Sequence, residues 1–263
     1  AASTIAPIAI AMPPSDMMFA FSPCQRITAN AASTPSARVV IGRFRRPGSV
    51  TNSGRAMPAA AQAAPSSSGV TVTGGICGAE AASGVLREWL HKQQTGLPYV
   101  TWKFATSVDG RSAAADGSSQ WITSDAARAD VHRRRAAADA IVVGTGTVLS
   151  DNPTLTARLA DGALAEHQPL RVVVGQREIA PEANVLNDDS RTMVISTHDP
   201  HEVLRALSDR TDVLVEGGPT LAGAFLRAGV IDRILAYVAP ILLGGPVTAV
   251  DDVGVPSIAR ALR

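Results

Sequence analysis

The feature that most constrains the fold is a series of short apolar segments that alternate with helical patterns over the second part of the chain. The segments are rich in β-branched residues and too short for helices, which is typical of strands buried in a parallel sheet. The predicted strands are Tyr99–Thr106, Asp139–Gly144, Arg171–Val174, Thr192–Ser196, Val213–Val215 and Ile231–Val238. Helices are predicted from Ala126 to about Ala138, with an N-cap in Thr123-Ser124-Asp125, over Pro200–Leu207 and over Pro219–Ala228. We therefore predict an α/β fold with a mostly parallel central sheet flanked by helices.

Composition excludes several classes of protein. At 46% hydrophobic residues the chain can bury a core, so disorder over its full length is excluded. No run of 18 apolar residues occurs, so no transmembrane helix is expected. The net charge of +1 gives no reason to expect nucleic acid or an anionic membrane as a partner. Cys24 and Cys77 stand alone, which fits a reducing compartment, and we predict a cytoplasmic protein.

Residues 1–84 and 85–263 differ in composition. The first segment is rich in Ala, Ser, Pro and Arg and has a charge of +4, with six arginines, no lysine and two acids. Apart from the apolar run Ala37–Gly42, it shows no helical or strand period. It is interpreted as a poorly ordered tail, a transit-like peptide or a decayed domain, and a secretory signal is not expected because no basic residue precedes its apolar start. Function is expected in residues 85–263.

Two glycine-rich loops follow predicted strands. Glu216–Thr220 lies between a strand and a helix start, where glycines let backbone N–H groups approach a phosphate, although a tight turn alone also explains it. Gly144–Thr147 begins like a dinucleotide fingerprint, but Leu149 replaces its third glycine, and Asp151-Asn152-Pro153 argues against a following helix. Two such loops could hold the two ends of a pyrophosphate cofactor.

Isolated charged residues near the apolar strands are candidates for contacts with a carboxylate or an anionic ligand. Lys103 stands in the middle of a strand, where a half-buried ammonium needs a carboxylate or an anionic ligand. Arg133–Arg135 can equally be a solvated helix end. The histidines lack metal-ligand spacing, so no metal site is predicted.

Taken together, these segments resemble the reductase domain of bacterial riboflavin-biosynthesis deaminase/reductases. The resemblance covers about residue 69 to the end, and the motifs and their order are specific. The motifs are KFATSVDGR from Lys103, SQWIT from Ser119, the helix to Arg135, GTVLSDNPTLTAR from Gly146, VEGGPTL from Val215 and YVAPILLG from Tyr237.

The resemblance implies a dihydrofolate-reductase-like fold preceded by a low-order N-terminal segment, a homodimer, and NADPH as cofactor. The implied substrate is 5-amino-6-(5-phosphoribosylamino)uracil, a phosphorylated pyrimidine whose ribosyl group is reduced to a ribityl chain. A related pteridine or folate reductase and an inactive relic that at most binds nucleotide are the alternatives.

Site residues follow from the same resemblance, position by position. Lys103 is expected to contact substrate and to pair with Asp151, and these two are the predicted catalytic residues. The implied cofactor contacts are Ala105, Trp121, Gly146, Thr147, Asp151, Gly217 and the loop Gly218–Ala224, in particular Gly218, Pro219, Thr220 and Leu221. The implied substrate contacts are Ser119, Arg135, Leu155, Arg158 and Glu216, with the arginines on the 5-phosphate.

The chain departs from the family pattern at both ends. The zinc deaminase that precedes the reductase in this family has an H-A-E motif and a P-C…C pair, and this sequence has neither. We therefore expect residues 1–84 to be the remnant of a deaminase domain without deaminase activity. The family also continues past Leu262 with further strands, so the reductase domain 85–263 is expected to lack its last strands.

Overall fold

The central sheet has seven strands, six of which run parallel. The computed structural model describes residues 38–43, residue 84 and residues 86–262. The strands are β1 (Arg38–Arg43), β2 (Tyr99–Ser107), β3 (Ala140–Gly144), β4 (Leu170–Val174), β5 (Thr192–Ile195), β6 (Asp212–Val215) and β7 (Arg233–Ala239). Their order across the sheet is β1-β7-β2-β6-β3-β4-β5, and only the β1–β7 pair is antiparallel.

Five α-helices connect or flank these strands in the described part of the chain. They are α1 (Arg87–Thr95), α2 (Asp125–Ala137), α3 (Thr145–Asp151), α4 (Pro200–Ala206) and α5 (Pro219–Arg227), with short 3₁₀ turns at Asn184–Leu186 and Ile258–Arg260. The predicted α/β class and mostly parallel sheet are confirmed. The N-cap of α2 is Ser124, the middle residue of the predicted Thr123-Ser124-Asp125 signal, and its side chain accepts a hydrogen bond from the N–H of Ala127.

Two features differ from the sequence prediction. A helix, α3, does follow Gly144, because it ends at Asp151 before the chain reaches Pro153, and Asn152 closes it in a left-handed conformation with φ of 42°. Residues 38–42 of the apolar run belong to β1, which pairs with β7 at the edge of the sheet. The other residues before Gly84 lie outside the described part, so their predicted low order stays a prediction.

The core lies on both faces of the sheet. On one face, Val142 and Val215 pack with Phe225 of α5 and Leu204 of α4. On the other face, Ile141, Val143 and Leu214 pack with Val148 of α3. Alternate residues of the same strands thus enter two cores, which explains why β3 and β6 are apolar at nearly every position.

The strand order creates a switch point between β3 and β6. The chain leaves β3 towards β4, whereas it leaves β6 in the opposite direction, over β2 to β7. In open α/β sheets, ligands bind in the crevice outside the carboxyl ends of the strands at such a point. Both glycine-rich loops begin there.

Candidate active site

The loop after β6 is shaped by two glycines with different surroundings. Gly217 is buried, and a Cβ atom added to it would lie 2.4 Å from Cδ2 of Leu221, so this position has no room for a side chain. Gly218 is exposed, and the atom nearest to an added Cβ would be Oγ1 of Thr147 at 3.9 Å. The surface over Gly218 is therefore open to a ligand, and Pro219 begins α5 directly behind it.

The loop after β3 lies against the first. A Cβ atom added to Gly144 would be 3.9 Å from Cβ of Leu221, and the Thr147 hydroxyl lies over Gly218. The N–H of Glu216 donates to the carbonyl of Val142 at 2.9 Å, which holds the β6 loop in register with β3. The structure thus brings the two predicted cofactor loops together.

A buried cluster of three charges lies beside these loops. Both carboxylate oxygens of Glu216 accept from Arg135, with Nε–Oε1 at 2.8 Å and Nη2–Oε2 at 2.9 Å. The ammonium of Lys103 is 3.6 Å from Oε2. The side chain of Glu216 is 5% exposed, against 17% for Lys103 and 16% for Arg135, so the carboxylate is enclosed by its two cations.

The charges determine the protonation of Glu216. Burial by itself raises the pKa of this carboxyl, but the Arg135 guanidinium and then the Lys103 ammonium outweigh burial and lower the pKa to about 2. Glu216 is therefore an anion at neutral pH. With one anion between two cations, the cluster carries a net positive charge at the edge of the ligand crevice.

The predicted partner of Lys103 was wrong. Its carboxylate partner in the structure is Glu216. Trp102 pairs with Val215 in the β2–β6 register, Lys103 is the next residue of β2, and Glu216 directly follows the end of β6. The ammonium also lies 5.6 Å from the ring centroid of Tyr237, within cation–π range. Asp151 is exposed at the end of α3, where its Oδ1 accepts from the hydroxyl of Ser150.

The segment after α3 approaches the cluster through its backbone. The carbonyl of Thr156 accepts from Nη1 of Arg135 at 3.2 Å, so three of the five guanidinium N–H groups are used within the protein. Leu155 has a φ of 55° and its side chain is buried in the core, so only its backbone is left for the predicted substrate contact. Strained backbone of this kind is common at functional sites.

Arg158 belongs to the segment whose Thr156 carbonyl binds Arg135, but its side chain has its own partners. Its Nη1 donates to the carbonyl of Gly162 at 2.9 Å, and its Nη2 is 3.9 Å from Asp189. Its side chain is 37% exposed and can still reach a ligand. The predicted joint phosphate contact of Arg135 and Arg158 stays a prediction.

The remaining predicted contacts lie on β2 and on the segment before α2. Ala105 packs against the small core under α2, and Ser119 is half-buried. Trp121 is 69% exposed, with the guanidinium of Arg128 4.4 Å from its ring centroid. Among the described residues, no hydrogen bond or ion pair joins these side chains to the charge cluster, so their roles stay predictions.

Sequence reasoning missed His132. Its Nδ1 lies 3.2 Å from the carbonyl of Thr156 and 3.3 Å from the backbone N of Arg158, so it supports the segment that carries both. Burial, and then the charge of Arg135, lowers the pKa of His132. The signal was available, since His132 is three residues before Arg135 and therefore on the same face of the helix.

The described residues contain neither a candidate metal cluster nor a membrane-spanning helix. No group of three or more His, Cys, Asp or Glu side chains there could hold a metal ion. None of the helices in the same part of the chain is long and apolar enough to cross a membrane.

Comparison with known proteins places this site in a family. A profile of the RibD C-terminal domain matches residues 98–263, which include both loops and the charge cluster. The chain belongs to the RibD C-terminal domain family. The riboflavin biosynthesis protein RibD of Mycobacterium tuberculosis is 76% identical over 198 residues, covering 75% of this chain and 58% of that protein.

Solved RibD structures share the fold. RibD of Acinetobacter baumannii is 34% identical and superposes with a TM-score of 0.63, covering 72% of this chain and 58% of that one. A protein of Thermotoga maritima, described as a diaminohydroxyphosphoribosylaminopyrimidine deaminase/5-amino-6-(5-phosphoribosylamino)uracil reductase, is 28% identical with a TM-score of 0.55, covering 65% and 54%. The chain thus spans little more than half the length of these relatives.

Proposed function

We propose that this protein reduces the ribosyl group of 5-amino-6-(5-phosphoribosylamino)uracil to the ribityl form with NADPH, as a step of riboflavin biosynthesis. The observation that carries the proposal is the buried Lys103–Glu216–Arg135 cluster next to two glycine-rich loops at a switch point, in a chain of the RibD reductase-domain family. Membership of this family supports an oxidoreductase. The cofactor and substrate are the proposed part.

The residues present fit a dinucleotide cofactor. The exposed side of Gly218 and the adjacent Thr147 hydroxyl form a surface on which backbone atoms of the loop can contact phosphates. Gly217, in contrast, is packed against Leu221. When bound, NADPH supplies the hydride. We assign its phosphates to the loops Gly144–Thr147 and Gly217–Leu221, with Ala105, Trp121 and Asp151 as further contacts.

The charge cluster is assigned to the substrate. Reduction requires an electron-poor carbon, which the ring-opened sugar presents as a protonated imine at its first carbon, so that addition of one hydride leaves a neutral amine. The Lys103 ammonium is paired with Glu216 and stabilises electron density that develops near it, because a charge already in place needs little reorganisation during the reaction. Glu216 acts as a positioning residue, since its oxygens are enclosed by Arg135 and Lys103.

The substrate phosphate is assigned to the arginines. Arg135 keeps two N–H groups that are not used by Glu216 or Thr156, and Arg158 is exposed enough to turn towards a ligand. A planar guanidinium fork suits a phosphate. Ser119 and the backbone of Leu155 complete the proposed substrate side.

The test is turnover of the phosphoribosylaminouracil, followed as NADPH oxidation together with chromatographic detection of the ribityl product. Product formation at the rate of NADPH loss would support the proposal. NADPH binding without turnover would support the alternative of an inactive relic that only binds nucleotide. Turnover of a pteridine or folate substrate instead would identify the protein as a related pteridine or folate reductase.

The homodimer and the absence of deaminase activity stay predictions. Sedimentation checks the first, and a measurement of zinc-dependent ammonia release checks the second.

Arg158→Ala should weaken substrate binding while leaving cofactor binding in place. A charge-assisted contact is worth about 1.5–3 kcal/mol when desolvated, and Arg158 is partly exposed, so a loss of roughly tenfold in substrate affinity is expected. Arg158→Lys should recover part of the loss, because a point charge cannot reproduce the fork. The measurement is a pair of calorimetric titrations, one with substrate and one with NADPH. A fall in NADPH affinity without a fall in substrate affinity would show that the cofactor side and the substrate side have been assigned the wrong way round.

A further inference from the structure

His132 is half-buried where α2 meets the segment between α3 and β4, and this segment is held from two sides. On one side, the side-chain amide of Gln168 accepts from the N–H of Ala157 and donates to its carbonyl, both at 2.8 Å. In extended backbone the hydrogen-bonding groups of successive residues point to opposite sides, and the carbonyl of Thr156 and the N–H of Arg158 are directed towards α2. The helix therefore has to supply one acceptor and one donor.

The ring nitrogen Nδ1 of His132 is within reach of both groups. It lies 3.3 Å from the N of Arg158 and 3.2 Å from the carbonyl oxygen of Thr156. A ring nitrogen either accepts through its lone pair or donates its hydrogen, so it satisfies one of the two at a time.

The surrounding hydrogen bonds decide which role Nδ1 takes. In the described part of the chain, the N–H of Arg158 has no other acceptor. The carbonyl of Thr156, in contrast, also accepts from Nη1 of Arg135 at 3.2 Å. Both backbone groups are thus satisfied when Nδ1 is unprotonated and the hydrogen of the neutral ring is on Nε2.

Protonation of the ring would reverse this arrangement. The new Nδ1–H would donate to the Thr156 carbonyl, compete there with Arg135 and leave the N–H of Arg158 without an acceptor. Burial, and then the charge of Arg135, lowers the pKa of His132. Arg158 acts in the same direction, whereas the hydrogen bond to Thr156 and the charge of Glu216 oppose it. The neutral ring is therefore the form expected at neutral pH.

We propose that His132 is a positioning residue for the substrate, and that its unprotonated Nδ1 fixes the backbone that carries Arg158. Protonation of His132 releases this backbone and disturbs the contact of Arg135 with the same segment. The inference rests on the proposed function, because that function assigns both arginines and the backbone of Leu155 to the substrate. Substrate affinity should thus depend on His132 and on its protonation, and cofactor affinity should not.

Isosteric variants separate the roles of the two ring nitrogens. Asparagine places an amide oxygen near the position of Nδ1 and does not titrate, whereas the longer glutamine places its amide near Nε2. His132→Ala should weaken substrate binding up to roughly tenfold at neutral pH, because it leaves the Arg158 N–H without an acceptor. His132→Asn should stay within about twofold of wild type, and His132→Gln should resemble the alanine variant.

The measurement is titration calorimetry with the phosphoribosylaminouracil and, separately, with NADPH. The affinity for NADPH should stay within about twofold of wild type in all three variants. The melting temperature of each sample shows whether the fold is retained.

The pH dependence gives a second readout. Nuclear magnetic resonance of ¹⁵N-labelled histidine shows which ring nitrogen carries the hydrogen and at which pH the ring gains a second one, and His132→Asn identifies the signal among the five histidines. Because the pKa of His132 is lowered in the folded protein, wild type and His132→Asn should bind substrate alike above about pH 6.5, the ordinary pKa of histidine. As the pH falls and His132 is protonated, wild type should lose affinity relative to His132→Asn. The comparison cancels the titration of the substrate phosphate, and His201→Asn, at an exposed histidine of α4, should follow wild type.

The outcomes separate this inference from the proposed function. A hydrogen on Nδ1 at neutral pH, or wild-type substrate affinity in His132→Ala, would refute the role of His132 while the reductase assignment stands. The role is also refuted if His132→Asn behaves like alanine, or if protonation leaves wild type as tight as His132→Asn or tighter. A parallel loss of substrate and NADPH affinity in His132→Ala, with a lower melting temperature, would show a purely structural residue. If wild type does not bind the substrate at any pH, the proposed function fails, and the inference fails with it.

Discussion

Glu216→Gln is expected to destabilise the protein by about 3–5 kcal/mol, the range found when one partner of a buried ion pair is removed. The glutamine keeps the shape of the side chain but leaves Arg135 and Lys103 buried without a counter-charge. The free energy of unfolding by urea, measured at neutral pH, checks this. Glu182→Gln is the control, because Glu182 is exposed and its loss should change stability by less than about 0.5 kcal/mol.

The same variant should change the pH dependence of stability. The folded pKa of Glu216 is about 2, below the usual value of about 4.3 in an unfolded chain. Because the folded pKa is depressed, its contribution is fully present above about pH 4.3 and is lost as the pH falls towards 2. The stability difference between wild type and Glu216→Gln should therefore shrink over that acid range. A difference that stays constant from pH 6 to pH 2.5 would contradict the ionised, paired state of Glu216.

Gly218→Val is expected to weaken NADPH binding by more than about 100-fold, which corresponds to roughly 2.7 kcal/mol, while the protein remains folded. The backbone at Gly218 has φ of −64° and ψ of 178°, which valine adopts without strain, and the space over it is open in the protein. The added side chain would therefore occupy the surface assigned to the cofactor phosphates. Nicotinamide fluorescence measures the binding, and the melting temperature of the same sample shows whether the fold is retained.

A graded series makes this result specific. Gly218→Ala should weaken NADPH binding less than valine does, because its single methyl group covers less of the surface. Gly217→Ala should instead act on folding, because its Cβ would meet Leu221 inside the protein. Normal NADPH affinity in Gly218→Val would mean that the loop is only a tight turn between β6 and α5.

Much of the site was predictable because its parts have local patterns. The glycines that follow apolar strands predicted both loops, and the proline after Gly218 predicted the start of α5. A lysine in the middle of a β-strand predicted a buried charge that needs a partner, and Glu216 is that partner. These conclusions depend on periodicity and on the neighbours of each residue along the chain, which the sequence contains.

The partners themselves were not predictable in the same way. Lys103 was expected to pair with Asp151, which follows a nearby motif, but the β2–β6 register places it beside Glu216. The absence of a helix after Gly144 was also a wrong prediction, because a seven-residue helix fits before Pro153. His132 was considered only as a metal ligand, because its contacts with Thr156 and Arg158 join segments that are distant along the chain.

The sequence by itself determined the α/β class, the extent of most strands and helices, and the two loops at strand ends, because these follow from side-chain period and from turn residues. The tertiary structure decided the insertion of β6 between β2 and β3, and with it the enclosure of Glu216 by Arg135 and Lys103. Sheet order and register are set by long-range packing of two cores, so no local pattern reports which charges will meet across them.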